Sequence, residues 1–145
     1  MRRITFAVLA PCVLAPLIGG GSAGAGGPMS AIPLYSAGER VDDLPLSAIL
    51  QRDDTAQFVS FVYGDCEPSG DAGCAPPAEV QVWPACRRNL ALSEDASSSG
   101  GLPEPITVRG APAALFDEGT RLELQTQEST VVVFADTRAR VLRIA

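Results

Sequence analysis

Gln57-Phe58-Val59-Ser60-Phe61-Val62-Tyr63, a turn-rich loop, then Glu79-Val80-Gln81-Val82-Trp83: the reading of this stretch decides the fold. Both runs are β-branched and aromatic, a composition that suits a pleated, half-buried surface. The loop between them holds Gly64, Pro68, Gly70, Gly73, Pro76 and Pro77, so antiparallel pairing is the simplest connection. A register with Phe58 opposite Val82, Ser60 opposite Val80 and Val62 opposite Ala78 assembles a mostly apolar face, as a core face must be. Continued outward, the same count sets Cys66 opposite Cys74.

Further strands are expected downstream at 106–109, 113–116, 121–126 and 130–135, with turns at Asp117-Glu118-Gly119 and Gln127-Glu128-Ser129. Leu122 and Leu124 alternate with Arg121, Glu123 and Gln125, which predicts one buried and one wet face. Val131-Val132-Val133-Phe134 is apolar on both faces and predicts a central strand or one lying under a helix. Two short helices are expected. Leu44 to Gln51 places Leu46, Ile49 and Leu50 on one helical face, with Pro45 near the start and Asp42-Asp43 before it. Asp136 is expected to cap a helix over 137–145, packed through Leu142 and Ala145 with Ala139 or Val141. The expectation is an α+β domain: an antiparallel sheet of five or six strands, two short helices and one disulfide-closed hairpin loop.

The N-terminus predicts export. Arg2-Arg3, the apolar run Ile4 to Ile18 and the small residues around Ala23-Gly24-Ala25 match a signal peptide over 1–25. The rival readings are a retained membrane anchor and a lipid-bearing Cys12. Both are disfavoured by the prolines and shortness of the run and by Pro11. A flexible leader over 26–40 then precedes a single domain over 41–145, with a mobile loop at 91–105. The protein is expected to be secreted or associated with the cell envelope, meeting the membrane only if the N-terminal segment is retained.

The four cysteines include three within 66–86. The register favours a Cys66–Cys74 disulfide closing the loop, which leaves Cys86 as the candidate free thiol. Beside Arg87-Arg88, Cys86 is either a thiolate favoured by two guanidinium groups, able to link chains, or a small buried hydrophobe; the latter is the expectation. The absence of histidine excludes Ser-His-Asp and Cys-His catalysis and histidine metal sites. With no lysine and a net charge of −6, nucleic acid is not an expected partner. Asp65, Glu67, Ser69 and Asp71 echo the first half of a calcium loop, but Pro76 stands where a bidentate glutamate belongs. Calcium is therefore a weak candidate and no other cofactor is expected. Trp83, Tyr63 and Phe61 form a candidate aromatic binding patch.

Tyr63-Gly64-Asp65-Cys66, Gly73-Cys74-Ala75-Pro76-Pro77 and Val80-Gln81-Val82-Trp83-Pro84-Ala85-Cys86 resemble a group of small uncharacterised exported bacterial proteins. The resemblance extends to Val108-Arg109-Gly110-Ala111-Pro112-Ala113 and to Leu122-Glu123-Leu124. It implies export and a shared fold, and it carries no activity and no catalytic residue. The expected function is non-enzymatic binding of a protein or cell-envelope component. The alternatives are a carboxylate-dependent hydrolase acting on envelope material, drawing on Asp65, Glu67, Asp71 and Glu79, and thiol-linked assembly through Cys86.

Overall fold

A computed structural model describes residues 32–52, 57–66, 75–91, 93 and 102–145. Its strands are β1 (Arg40–Val41), β2 (Leu44–Arg52), β3 (Phe58–Tyr63), β4 (Ala78–Pro84), β5 (Glu104–Val108), β6 (Ala111–Phe116), β7 (Arg121–Gln125) and β8 (Ser129–Ala135). They form one sheet in the order β1-β2-β3-β4-β8-β7-β6-β5, every neighbouring pair antiparallel. The expected five or six strands are thus corrected to eight. Of the two short helices expected, the one over 137–145 is present as α1 (Arg138–Ile144), whereas the one over 44–51 is not a helix.

The helix expected over 44–51 is β2. Leu44 and Leu46 alternate toward the core, and a bulge at Ser47 then shifts the phase, so Ile49 and Gln51 take over that side opposite Phe61 and Val59. The shift breaks the two-residue period and leaves apolar positions at helix-like spacings. Ser47 Oγ, at the bulge, donates to the Val62 carbonyl at 3.1 Å. Pro45 lacks an N–H, but its carbonyl accepts from the Gly64 N–H at 2.8 Å, so the ladder to β3 continues past it. Asp42 and Asp43, read as helix-flanking charges, instead make the tight turn between β1 and β2, with Asp42 at φ 52°.

The β3–β4 register is one residue away from the one expected. Val59 faces Val82, Phe61 faces Val80 and Tyr63 faces Ala78. The slip of one turns every β3 side chain over, so the core takes Val59, Phe61 and Tyr63 in place of Phe58, Ser60 and Val62, while β4 keeps Ala78, Val80 and Val82 on the core face as expected. Cys66 and Cys86, the cysteines among the described residues, are not joined to each other: Cys66 is disulfide-bonded, Cys86 is free, and Cys74 lies outside the described residues, so the expected Cys66–Cys74 closure of the loop is not part of the described fold.

One sheet face is the hydrophobic core, closed by α1 through Val141, Ile144 and Ala145 and by Ile32 and Ala37 from the approach to β1. Leu142, expected to pack, is exposed. Thr137, not Asp136, caps α1, its hydroxyl accepting from the Arg140 N–H at 3.3 Å, while Asp136 pairs with the Arg140 guanidinium. The fully buried Tyr63 hydroxyl accepts from the Ala37 N–H at 2.9 Å and donates to the Gly38 carbonyl at 3.2 Å. Burial raises the Tyr63 pKa above its ordinary value. Val131 to Phe134 occupies the centre of the sheet, where β8 pairs with β4 and β7; Val131, Val132 and Val133 are buried and Phe134 is half-buried.

Candidate functional site

The other face of the sheet sets polar and charged side chains among buried apolar ones such as Val62 and Val132. Strand alternation brings Ser60 from β3, Glu79, Gln81 and Trp83 from β4, Thr130, Val132 and Phe134 from β8, and Arg121, Glu123 and Gln125 from β7 onto it. It divides into two halves.

On the β3–β4 half the side chains are linked in a row. Ser60 Oγ donates to Glu79 Oε1 at 2.5 Å, Gln81 Nε2 donates to the same oxygen at 2.8 Å, and Trp83 Nε1 donates to Gln81 Oε1 at 3.0 Å. Phe58 stacks on Trp83 with ring centroids 4.2 Å apart, and the Arg88 guanidinium lies 5.2 Å from the Trp83 ring. Glu79, Gln81, Trp83 and Phe58 are each half-buried. These four are therefore held in one orientation while part of each still meets solvent, and Ser60 anchors the row from a buried position. Glu79 Oε2 and the second Gln81 N–H retain capacity for further hydrogen bonds.

On the β7–β8 half the chain leaving β4 folds back over the sheet. Arg87 and Arg88 N–H groups donate to the Pro84 carbonyl, turning the chain. Thr130 Oγ1 donates to the Arg88 carbonyl at 2.6 Å, and the Leu90 N–H donates to Gln125 Oε1 at 3.3 Å. Beneath this segment lies Glu123, with no exposed surface. It accepts from both Arg88 nitrogens that face it, from Ser93 Oγ at 2.5 Å and from Arg121 Nη1 at 3.2 Å. A carboxylate removed from water needs such partners, because an unpaired buried charge costs several kcal/mol. The expected wet face of β7 is thus dry at Glu123.

The residues singled out in the sequence are not brought together. Phe61 and Tyr63 are buried in the core, whereas Trp83 stands on the opposite face, so the three form no common patch. Cys86 is exposed in the turn after β4, not buried as expected. Arg88 is committed to Glu123, which leaves Arg87 alone of the two expected guanidinium groups near the thiol. Asp65 is exposed, while Glu67, Ser69 and Asp71 lie outside the described residues. Among the described residues no cluster of three metal-ligating side chains occurs, and no helix is long and apolar enough to cross a membrane. The residues 1–31, including Cys12, lie outside the described set.

Sequence reasoning missed the Glu79–Gln81–Trp83 row and the Arg88–Glu123 pair. The row was legible in principle, since residues 79, 81 and 83 alternate. The pair was not, because 35 positions separate its members.

No protein-family model, curated protein or solved structure matches the chain. Its class therefore rests on its own architecture, an eight-stranded antiparallel sheet with one helix on its core face.

Proposed function

We propose that this chain is an exported, non-enzymatic domain that binds a protein or a cell-envelope component through the half-exposed strip Phe58, Glu79, Gln81 and Trp83, anchored by the buried Ser60. The carrying observation is the unbroken hydrogen-bond row from Ser60 to Trp83 on two adjacent strands. Side chains fixed in advance on rigid strands lose little conformational entropy on binding, and an anchored tryptophan supplies contact area at low entropic cost. Glu79 serves as a hydrogen-bond acceptor within the row, which favours recognition over proton transfer. The export part of the proposal rests on Arg2-Arg3, the apolar run after them and Ala23-Gly24-Ala25.

Co-sedimentation with isolated cell-envelope fragments tests this, run before and after protease treatment of the fragments. Gln81→Ala and Trp83→Phe should each lower the bound fraction at least fivefold while shifting the unfolding midpoint by only a few degrees. Protease sensitivity assigns the partner as protein, and resistance assigns it to the non-protein envelope. Binding unchanged in both variants would overturn the proposal.

A further inference from the structure

The core face is wider than the helix that covers it. α1, seven residues long, spans about 10 Å, whereas eight strands side by side span about 34 Å. The approach to β1 and the β5–β6 hairpin close part of the remainder and leave two adjoining cavities. The inner one, about 270 Å³, has mostly apolar walls: Val80, Val131, Val133 and Leu124 from the sheet centre, Val108 from β5 and Ile144 from α1. The outer one, about 480 Å³, is mostly polar and is lined by Arg40, Asp42, Arg109 and Arg143. Ser36, Ala37, Arg109 and Ile144 are walls of both, so the two cavities meet there.

The shared wall is held in place from two sides. Tyr63 Oη fixes it from the core, accepting from the Ala37 N–H at 2.9 Å and donating to the Gly38 carbonyl at 3.2 Å. Arg109 stands on a two-residue hairpin between Val108 and Ala111, in which Arg109 and Gly110 have φ 49° and 85°. Asparagine, aspartate or glycine is the usual first residue of such a turn. A long cationic side chain held in the left-handed region there is a mark of a binding site. The charges of the outer cavity are not all engaged. Asp42 accepts from Arg143 at 2.6 and 3.0 Å and from Arg140 at 3.2 Å, so its charge is already matched. Arg40 donates one N–H to the Asp43 carbonyl at 2.8 Å, and neither Arg40 nor Arg109 forms an ion pair among the described residues. In a chain of net charge −6, two guanidinium groups thus line one cavity without a carboxylate partner.

We propose that the paired cavities bind a small amphiphilic acid, a medium-chain acyl carboxylate, with its chain in the inner cavity and its carboxylate against Arg109 and Arg40. Arg109 lines both cavities, so it meets the head where the tail enters. A guanidinium presents a planar fork that matches a carboxylate bidentately. The apolar walls take the acyl chain out of water. The cavities exist before the ligand arrives, so little binding energy goes into ordering the protein. A carboxylate is favoured over a phosphate dianion, which would call on Arg143 as well, and Asp42 holds Arg143. The site lies on the core side of the sheet and the strip ending at Trp83 on the other, so neither reading depends on the other.

Isothermal titration of the purified chain with octanoate tests the proposal. Octanoate should bind saturably at one equivalent, at least tenfold more tightly than octanol or octyltrimethylammonium, which keep the tail and change the head. Acetate, which keeps the head alone, should bind at least tenfold more weakly than octanoate. Arg109→Gln, at an exposed turn position, should weaken octanoate at least tenfold with an unfolding midpoint within a few degrees of the parent chain. Arg40→Gln should weaken it severalfold. Octyl phosphate should bind no more tightly than octanoate. No saturable octanoate binding up to millimolar concentrations, equal affinity for octanol, tighter binding of octyl phosphate, or an affinity indifferent to Arg109→Gln would each overturn the proposal.

Discussion

Gly64 is the position at which the backbone leaves least choice. Its φ is +101°, in the left-handed region that side chains resist, and an added Cβ would lie 2.6 Å from Pro77 Cγ. The Gly64 N–H is also the bond that carries the ladder past Pro45. Gly64→Ala should therefore destabilise the fold by about 1–3 kcal/mol, read as a lower urea midpoint. Arg88 is the other decisive residue. Arg88→Met takes away the guanidinium that gives buried Glu123 two of its hydrogen bonds and should cost about 3–5 kcal/mol. Adding Glu123→Gln removes the stranded charge. The double variant should then be more stable than the sum of the two single losses predicts, by about 0.5–3 kcal/mol in a double-mutant cycle.

At the scale of elements, α1 is tied to the β1–β2 turn by charge as well as by packing. Asp42 accepts from Arg143 Nε at 3.0 Å and Nη2 at 2.6 Å and from Arg140 Nε at 3.2 Å. The hydrogen bonds from Arg143 and then Arg140, with their positive charge behind them, lower the Asp42 pKa from 3.8 to about 2. A carboxylate depressed in the folded state contributes stability above its unfolded pKa and loses it as pH falls through the folded one. The stability gap between the parent chain and Asp42→Asn should hence be full above about pH 4 and close toward pH 2, as thermal midpoints across that range will read. Glu104, lowered by the hydrogen bonds from Arg138, follows the same sign independently.

Elements also show where reading the sequence succeeds. Strands occupy every stretch whose own composition declared one, because β-branched and aromatic side chains carry that signal locally. The failure at β2 has a local cause of another kind. The Ser47 bulge interrupts the alternation, and the bonds that make this segment a strand come from β3. The candidate site was legible only in part. Glu79, Gln81 and Trp83 declare a shared face by spacing alone, whereas which face is buried depends on a register that a one-residue slip inverts.

Across the whole molecule, protection should follow distance from the sheet edges. β4 and β8 pair along their full lengths at the centre, joining Val82 to Val131 and Ala78 to Ala135. Their amides should exchange slowest, approaching the global unfolding free energy. The amides of β1 and the outer amides of β2 and β5 should exchange through local opening. Equal protection at edge and centre in a hydrogen-exchange experiment would contradict this order. The central pairing closes a loop of roughly fifty residues, so folding should be slow for a chain of this size.

By itself the sequence determined the strands from β3 onward, the strand at Val131 to Phe134 among them, the acidity and the absence of histidine chemistry. These follow from side-chain composition and from alternation within single segments. Tertiary structure alone decided that 44–52 is a strand, which face of β3 enters the core, and that Glu123 is dry beneath Arg88. Each of those outcomes is set by a partner outside the segment: β3 for β2, β4 for β3, and the returning segment after Trp83 for Glu123. Local propensities differ by about 1 kcal/mol or less, so a paired ladder or a satisfied buried carboxylate outweighs them once the chain is folded.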